Sequence, residues 1–264
     1  MARKPLAERR TGSSECANLV GMGIPSSPQR HLDWPGLHNV RDLGGLPTRD
    51  GGSIRPGALV RSEGLDRLDP AGWDRLHGHG VRTLVDLRSD FEIDAAPYAS
   101  SGDLAVVQTR WEEGLLADPE FADWAATGLL STCLYYRRFL ERWPERTATT
   151  VRAVAEAAPG GVLVHCAAGR DRTGLITALL LSLVGVPHDL IVADYLASDA
   201  RILAGDLDHQ AILEVESALF TAAGTTSAAE IAGLLQAVDV ATYLRDAGLA
   251  DDVLTRLHTR LVTA

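Results

Sequence analysis

The chain is short of cysteine, of basic residues and of long apolar runs, and each shortage narrows what it can be. Its three cysteines, Cys16, Cys133 and Cys166, are far apart and form no C-x-x-C pair, which argues against a disulfide framework and a cysteine-rich zinc site. Free thiols fit a reducing compartment. The longest strongly apolar run, Gly174 to Val186, has 13 residues, short of the roughly 18 to 20 that cross a bilayer. Residues 1–23 are basic but hold no apolar stretch of signal-peptide length. The expectation is a cytoplasmic protein with no integral membrane span, only a signal-less export route being left open. With 35 Asp and Glu against 25 Lys and Arg, the net charge is −10; such a surface repels polyanions over a Debye length and argues against a nucleic-acid partner.

What remains is the composition of an ordinary globular chain, 264 residues that are 46% hydrophobic and 23% charged, enough for one large core. Residues 1–30 mix Arg, Ser, Gly and Pro without periodicity and read as a disordered tail, leaving 31–264 as a single domain. Asp50-Gly51-Gly52 sits between two short extended pieces, the pattern of a β-hairpin, with Pro56 at an edge. Asp69 or a neighbouring residue caps a helix that starts near Pro70 and ends at Gly78 or Gly80. Thr83 to Leu87 and Leu104 to Thr109 read as strands. Phe121 to Trp143 reads as helix with a break near Gly128, and Thr147 to Ala158 as the next. Beyond Pro187, residues 189–197, 207–222, 228–245 and 251–261 all read as helices. Helices alternating with buried apolar strands predict an α/β fold, with a central mostly parallel sheet of four or five strands flanked by helices.

One stretch, Gly160 to Pro187, carries the chemistry. The run Val162-Leu163-Val164 reads as a buried strand, so His165 and Cys166 lie at its C-terminal end, where open α/β sheets bind ligands. Ala167, Ala168 and Gly169 are small enough for successive N–H groups to turn inward as an anion nest, with Arg170 and Asp171 completing the loop. A helix opening at Thr173-Gly174 points its positive end at the same place. Dipole, nest and Arg172 each favour thiolate over thiol at Cys166, which makes it a nucleophile. Arg172, six positions on, can hold two phosphate oxygens in bidentate fashion. Thr173 is placed to donate its hydroxyl to the departing sulfur, and His165 to orient the loop.

The segment HCAAGRDRTG resembles the phosphate-binding loop of cysteine-dependent tyrosine and dual-specificity phosphatases. The flanking pieces NVRDLGG, RPGALVRSEGLDRLD, RTLVDLRS, LIVADYLASD and YLRDAGL are similar, in the same order, to the bacterial tyrosine phosphatase family that includes a mycobacterial member and related phosphoinositide phosphatases. This resemblance covers most of residues 35–264. It implies a tyrosine phosphatase-like fold and phosphomonoester hydrolysis through a phosphocysteine intermediate, with no metal and no cofactor, on a phosphorylated protein or phosphoinositide. The family commonly has Lys at the position of Arg170; the charge is kept, and the inositol-phosphate preference tied to that Lys is left open. Asp171 matches an Asp that some members carry and is the first choice for the acid that protonates the leaving group; the equal alternative is that it only binds loop amides or an Arg. No Trp-Pro-Asp triplet occurs, since Trp34-Pro35 precedes Gly36 and Trp143-Pro144 precedes Glu145. Glu112, Glu113 and Asp118 are the other candidate acids.

Asp86 and Arg88 lie at a strand end and read either as pocket rim or as a structural ion pair, and Arg41-Asp42 has the same two readings. His77 and His79 read as solvated, and Leu175, Leu179 and Leu183 as a core stripe. The resemblance also offers helices 207–222 and 228–245 as a lid. Three rival readings stand beside protein phosphatase: a phosphoinositide phosphatase, a silent phosphate-binding module and a sulfurtransferase. The Cys, Arg and Thr spacing favours phosphate chemistry.

Overall fold

The Val162-Leu163-Val164 run does become the middle of a sheet. The protein is described by a computed structural model over residues 30–98, 103–205 and 209–263. Its first half runs β1 (Arg41–Asp42), β2 (Ser53–Ile54), β3 (Leu59–Ser62), α1 (Pro70–Gly78), β4 (Val81–Asp86), α2 (Asp90–Ala95), β5 (Ala105–Gln108), α3 (Pro119–Thr127) and α4 (Tyr136–Arg142). Then follow α5 (Pro144–Ala155), β6 (Gly161–His165), α6 (Asp171–Leu183), α7 (His188–Gly205), α8 (His209–Ala223), α9 (Ser227–Ala237), α10 (Val240–Asp246), α11 (Asp251–Leu261) and β7 (Val262–Thr263). Strands β1-β3-β6-β4-β5 form one five-stranded sheet, parallel except for β1, as expected from the sequence.

Alternation along β6 builds the two sides of the core. Val162 and Val164 face the large apolar cluster under α5 and α6, whereas Leu163 faces a smaller one with Val60, Leu84, Leu76 and Trp34, because successive side chains of a strand point to opposite faces. The register matters for function. Ser62 of β3 and Asp86 of β4 both stand opposite His165, so three parallel strands end level and Cys166 emerges at the centre of their C-terminal edge.

Local signals hold well where the capping chemistry is explicit. The Asp69 carboxylate accepts from Gly72 N at 2.7 Å and starts α1 at Pro70. Gly128, in the left-handed region at φ 77°, ends α3 where the break was expected. The hairpin around residues 50–52 forms as expected, with Thr48 N donating to Gly52 O at 2.9 Å, Ile54 N to Leu46 O at 2.7 Å and Pro47 bridged to Ser53. Elsewhere the elements differ: β2 also takes a ladder partner, β7, from the other end of the sequence, and β1 pairs with β3. The 228–245 helix is two helices, because Asp239 accepts from Thr242 N at 2.9 Å and caps a new one. The short helix α2 has no counterpart in the sequence reading. The expected tail lies outside the described residues except for Arg30. Among the described residues no single helix is long and apolar enough to cross a membrane.

Candidate active site

Cys166 follows β6 directly and is only 2% exposed. Beyond it the chain turns through residues 167–170 before α6 begins at Asp171. Each carbonyl of this turn is drawn outward: Gly64 N donates to Ala167 O (2.8 Å), Asn39 Nδ2 to Ala168 O (3.0 Å), Arg61 Nη2 to Gly169 O (2.8 Å) and Gly174 N to Arg170 O (2.7 Å). Since each peptide is planar and trans, carbonyls fixed outside aim the opposing N–H groups inward. Gly169 N–H reaches Cys166 Sγ at 3.3 Å. Glycine is required there, because φ is +70° and a Cβ would lie 2.4 Å from the Ser62–Glu63 backbone. The N-terminus of α6 adds the positive end of its dipole.

The groups that hold the loop are themselves held by Asp194 of α7. Its carboxylate, 1% exposed, takes Arg41 Nε at 2.9 Å, Arg61 Nη1 at 2.8 Å and Arg30 Nη2 at 3.3 Å. Burial pushes that carboxyl up, but Arg41, Arg61 and Arg30 outweigh it and hold it well below the usual carboxylate range. Arg41 Nη1 also donates to Asn39 Oδ1 at 2.7 Å, and Glu63 accepts the backbone N–H groups of His38 and Asn39. Arg41 is thereby a structural ion pair rather than a pocket residue. Asp42, its neighbour, binds His79 Nε2 at 3.1 Å, so His79 is not the solvated histidine expected from its place after a helix end.

Arg172 sits at the start of α6 with its guanidinium in a carboxylate grip. Nη1 and Nη2 donate to the two oxygens of Glu92 at 2.5 and 2.6 Å, and Glu112 Oε2 is 3.2 Å from Nη1. Burial raises the Glu92 carboxyl, yet Arg172 brings it down to about 2. Glu112 stays raised, because burial outweighs Arg172. Of the other candidate acids, Asp118 caps α3 and pairs with Arg142, and Glu113 offers its carbonyl to Arg146. Only Glu112 of the three touches Arg172.

Asp171 lies beside a tyrosine pair. Tyr195 OH donates to its Oδ1 at 3.3 Å, Tyr136 OH to its backbone carbonyl at 2.8 Å, and the two hydroxyls are 3.1 Å apart. Burial pushes the Asp171 carboxyl up to about 7, Arg170 opposing and Glu216 assisting. Thr173 Oγ1 is buried and has no hydrogen-bond partner among the described residues. His165 is fully buried between Cys166 O (3.2 Å from Nδ1) and Tyr98 OH (3.1 Å from Nε2), and burial lowers its pKa. Asp86 is not at the rim: it is 1% exposed and binds Arg88 in bidentate fashion beneath His165. Arg88 does line a cavity of about 450 Å³ with Ala167, Ala168, Phe91, Ile202 and Ile212, next to the loop. Arg170 is buried against Glu216 (2.5 Å) and Asp199 (2.7 Å). A larger cleft of about 950 Å³ lies at the opposite ends of the strands, around Gly80 and Gly161, and touches none of this. Cys133 is a buried thiol that burial pushes up to about 12. No cluster of three or more His, Cys, Asp or Glu among the described residues is arranged to hold a metal.

Sequence reasoning brought together Cys166, Asp171, Arg172 and Thr173 but gave no role to Asn39, Arg61, Glu92, Asp194, Tyr195 or Glu216. Two signals were present. Ser89-x-x-Glu92 is a capping-box spacing that announces α2, and Asp194 interrupts an apolar helix face three residues after buried Ile191.

A cysteine thus stands at the end of a central parallel strand, with the amides of the following turn aimed toward it and an arginine at the helix start beyond. The profile of the tyrosine phosphatase family matches residues 32–263, and the chain belongs to that family. It is 30% identical over 273 residues to the triple specificity protein phosphatase PtpB of Mycobacterium tuberculosis, covering 86% of this chain and 97% of that one. It is 32% identical over 253 residues to a Cupriavidus necator protein named provisionally as a tyrosine-protein phosphatase, covering 89% and 93%. A tyrosine-protein phosphatase of Nostoc commune is 32% identical over 169 residues, covering 60% of this chain and 55% of its own.

Two predictions follow from the charge arrangement. Asp194→Asn leaves three guanidiniums around a neutral group and is expected to cost roughly 3–5 kcal/mol, read as a lowered urea midpoint. Glu92 keeps its charge down to about 2 when folded against an ordinary 4.5, so its contribution is full above about 4.5 and is lost as pH falls toward 2. Glu92→Gln is expected to flatten the acid side of the stability–pH curve, and an unchanged slope would show that the pair adds nothing.

Proposed function

We propose that this phosphatase works through Cys166 and hydrolyses phosphomonoesters of proteins by way of a phosphocysteine, within one domain over residues 31–264. The observation that carries this reading is the outward fixing of four successive loop carbonyls around Cys166 Sγ, with Arg172 at the helix start. A phosphate in that ring meets amides, a helix N-terminus and a guanidinium whose positions are set before it arrives, and preorganised donors stabilise developing charge without reorganisation.

In the first step the Cys166 thiolate attacks phosphorus as the bond to the leaving oxygen breaks. Asp171, protonated near neutrality because burial raises it to about 7, delivers its proton to that oxygen. In the second, water attacks the phosphocysteine, the Asp171 carboxylate takes the water's proton, and the sulfur leaves as thiolate. Thr173 Oγ1, buried and without a partner among the described residues, is available to donate to that sulfur. Asp171 is a better donor than Glu112, which is in contact with the guanidinium that must bind phosphate. His165 orients the loop through its contacts with Cys166 O and Tyr98 OH.

Replacing Cys166 with Ser is expected to abolish turnover of an aryl phosphate; retained turnover would remove the sulfur from the mechanism. A general acid fails when it loses its proton, so kcat is expected to decline as pH rises through about 7. In Asp171→Asn that decline disappears and kcat falls by roughly 100-fold or more, the usual scale of positioned proton transfer. A variant that keeps the wild-type profile transfers the role elsewhere, Glu112 first.

A further inference from the structure

The cavity beside the loop bears on which phosphoester it accepts, and the inference drawn from it rests on the phosphatase reading above. The 450 Å³ cavity is walled by Phe91, Ala95, Ala96, Ile202 and Ile212, with Ala167 and Ala168 of the loop as its floor. Phe91, 81% exposed on α2, and Ile212, 42% exposed on α8, stand free at its sides. Such walls suit an apolar or aromatic group, since its transfer from water is favourable in proportion to the area covered.

The charged groups point the same way. The ionisable lining of this cavity is Glu63, Asp66 and Glu92 against Arg67 and Arg88, apart from His38. Arg88 is already charge-paired: Nε and Nη2 donate to Asp86, and Nη1 donates to Ala96 O at 2.8 Å. Arg67 is engaged as well. Ala168, Ile202 and Ile212 also bound a smaller recess of about 90 Å³, whose charged lining is Arg170 against Asp171, Asp199 and Glu216. Arg170 is the one cation of that recess; its Nη1 donates to Glu216, 3% exposed, at 2.5 Å, and Asp199 Oδ1 lies 2.7 Å from Nε as an ion pair without hydrogen-bond geometry. A second phosphate in either space would face more carboxylates than guanidiniums.

We infer that the site is selective for singly phosphorylated aryl groups, that multiply phosphorylated headgroups are disfavoured, and that Glu216 determines this selectivity by covering Arg170. Glu216 acts on the ligand through Arg170 and takes no part in bond making.

The test measures kcat/KM of the full chain for a phosphotyrosine peptide and for dioctanoyl phosphatidylinositols carrying one and two headgroup phosphomonoesters. Wild type is expected to turn over the peptide best and the two-phosphate lipid about tenfold less well than the one-phosphate lipid, the scale of one unpaired charged contact. Glu216→Gln is expected to raise the two-phosphate to one-phosphate ratio by about fivefold or more, and the added change Arg170→Ala to cancel that gain. Calorimetric binding of the same ligands to the Cys166→Ser protein reads the selectivity without turnover. Equal or better use of the two-phosphate lipid by wild type overturns the inference, as does a Glu216→Gln variant whose ratio stays at the wild-type value. Failure to hydrolyse any of the three by wild type instead removes the phosphatase reading, and the binding arm still decides the selectivity.

Discussion

One buried carboxylate carries much of this site's architecture. Asp194 neutralises Arg41, Arg61 and Arg30 in a part of the protein with almost no solvent, and guanidiniums in that setting are tolerated only when paired and hydrogen-bonded. Arg61 spends its other nitrogen on Gly169 O, and Arg41 fixes Asn39, whose amide holds Ala168 O. Neutralising the core and shaping the cysteine loop are therefore one physical problem. The donors that keep the carbonyls outside keep the amides inside.

Around that ring the charges are arranged so that each has a counterpart at short range. Arg172 rests in the oxygens of Glu92 with Glu112 alongside, which holds the guanidinium cationic and fixed in direction. Arg170, two residues earlier on the same turn, is held by Glu216 and Asp199. The two arginines thus lie in different surroundings: Arg172 is next to the cysteine loop's centre, and Arg170 is turned into a recess under α8. Asp171, between them, is half-buried beside the tyrosine pair from α4 and α7, and desolvation rather than any single charge is what keeps its proton near neutrality. Three consecutive residues have three different tasks because the first turn of a helix points them in three directions.

The loop residues were legible because their geometry is local. Glycine at 169, small residues at 167 and 168, and a strand and a helix on either side fix the turn of the backbone within ten residues. Caps at Asp69 and Gly128 were readable for the same reason. The sheet order was readable only in kind: apolar runs between helices predict parallel pairing, but nothing in Ser53-Ile54 says that its partner is Val262-Thr263. Asp86 and Arg88 were ambiguous because a strand's C-terminal end serves equally as pocket rim and as the place where a buried ion pair supports the residue above it. The structure gives Asp86 the second role and leaves Arg88 partly in both.

By itself, then, the sequence determined the loop, the place of its cysteine and its helix, since spacing along one short segment dictates where those atoms go. The tertiary structure alone decided which distant carboxylate each arginine meets: Glu92 lies 80 residues from Arg172, Glu216 lies 46 from Arg170, and Asp194 lies 133 from Arg61. Those pairings arise where α2, α7 and α8 bring their carboxylates to these arginines. Charge complementarity in a buried site is settled by packing, and packing is not a local property of the chain.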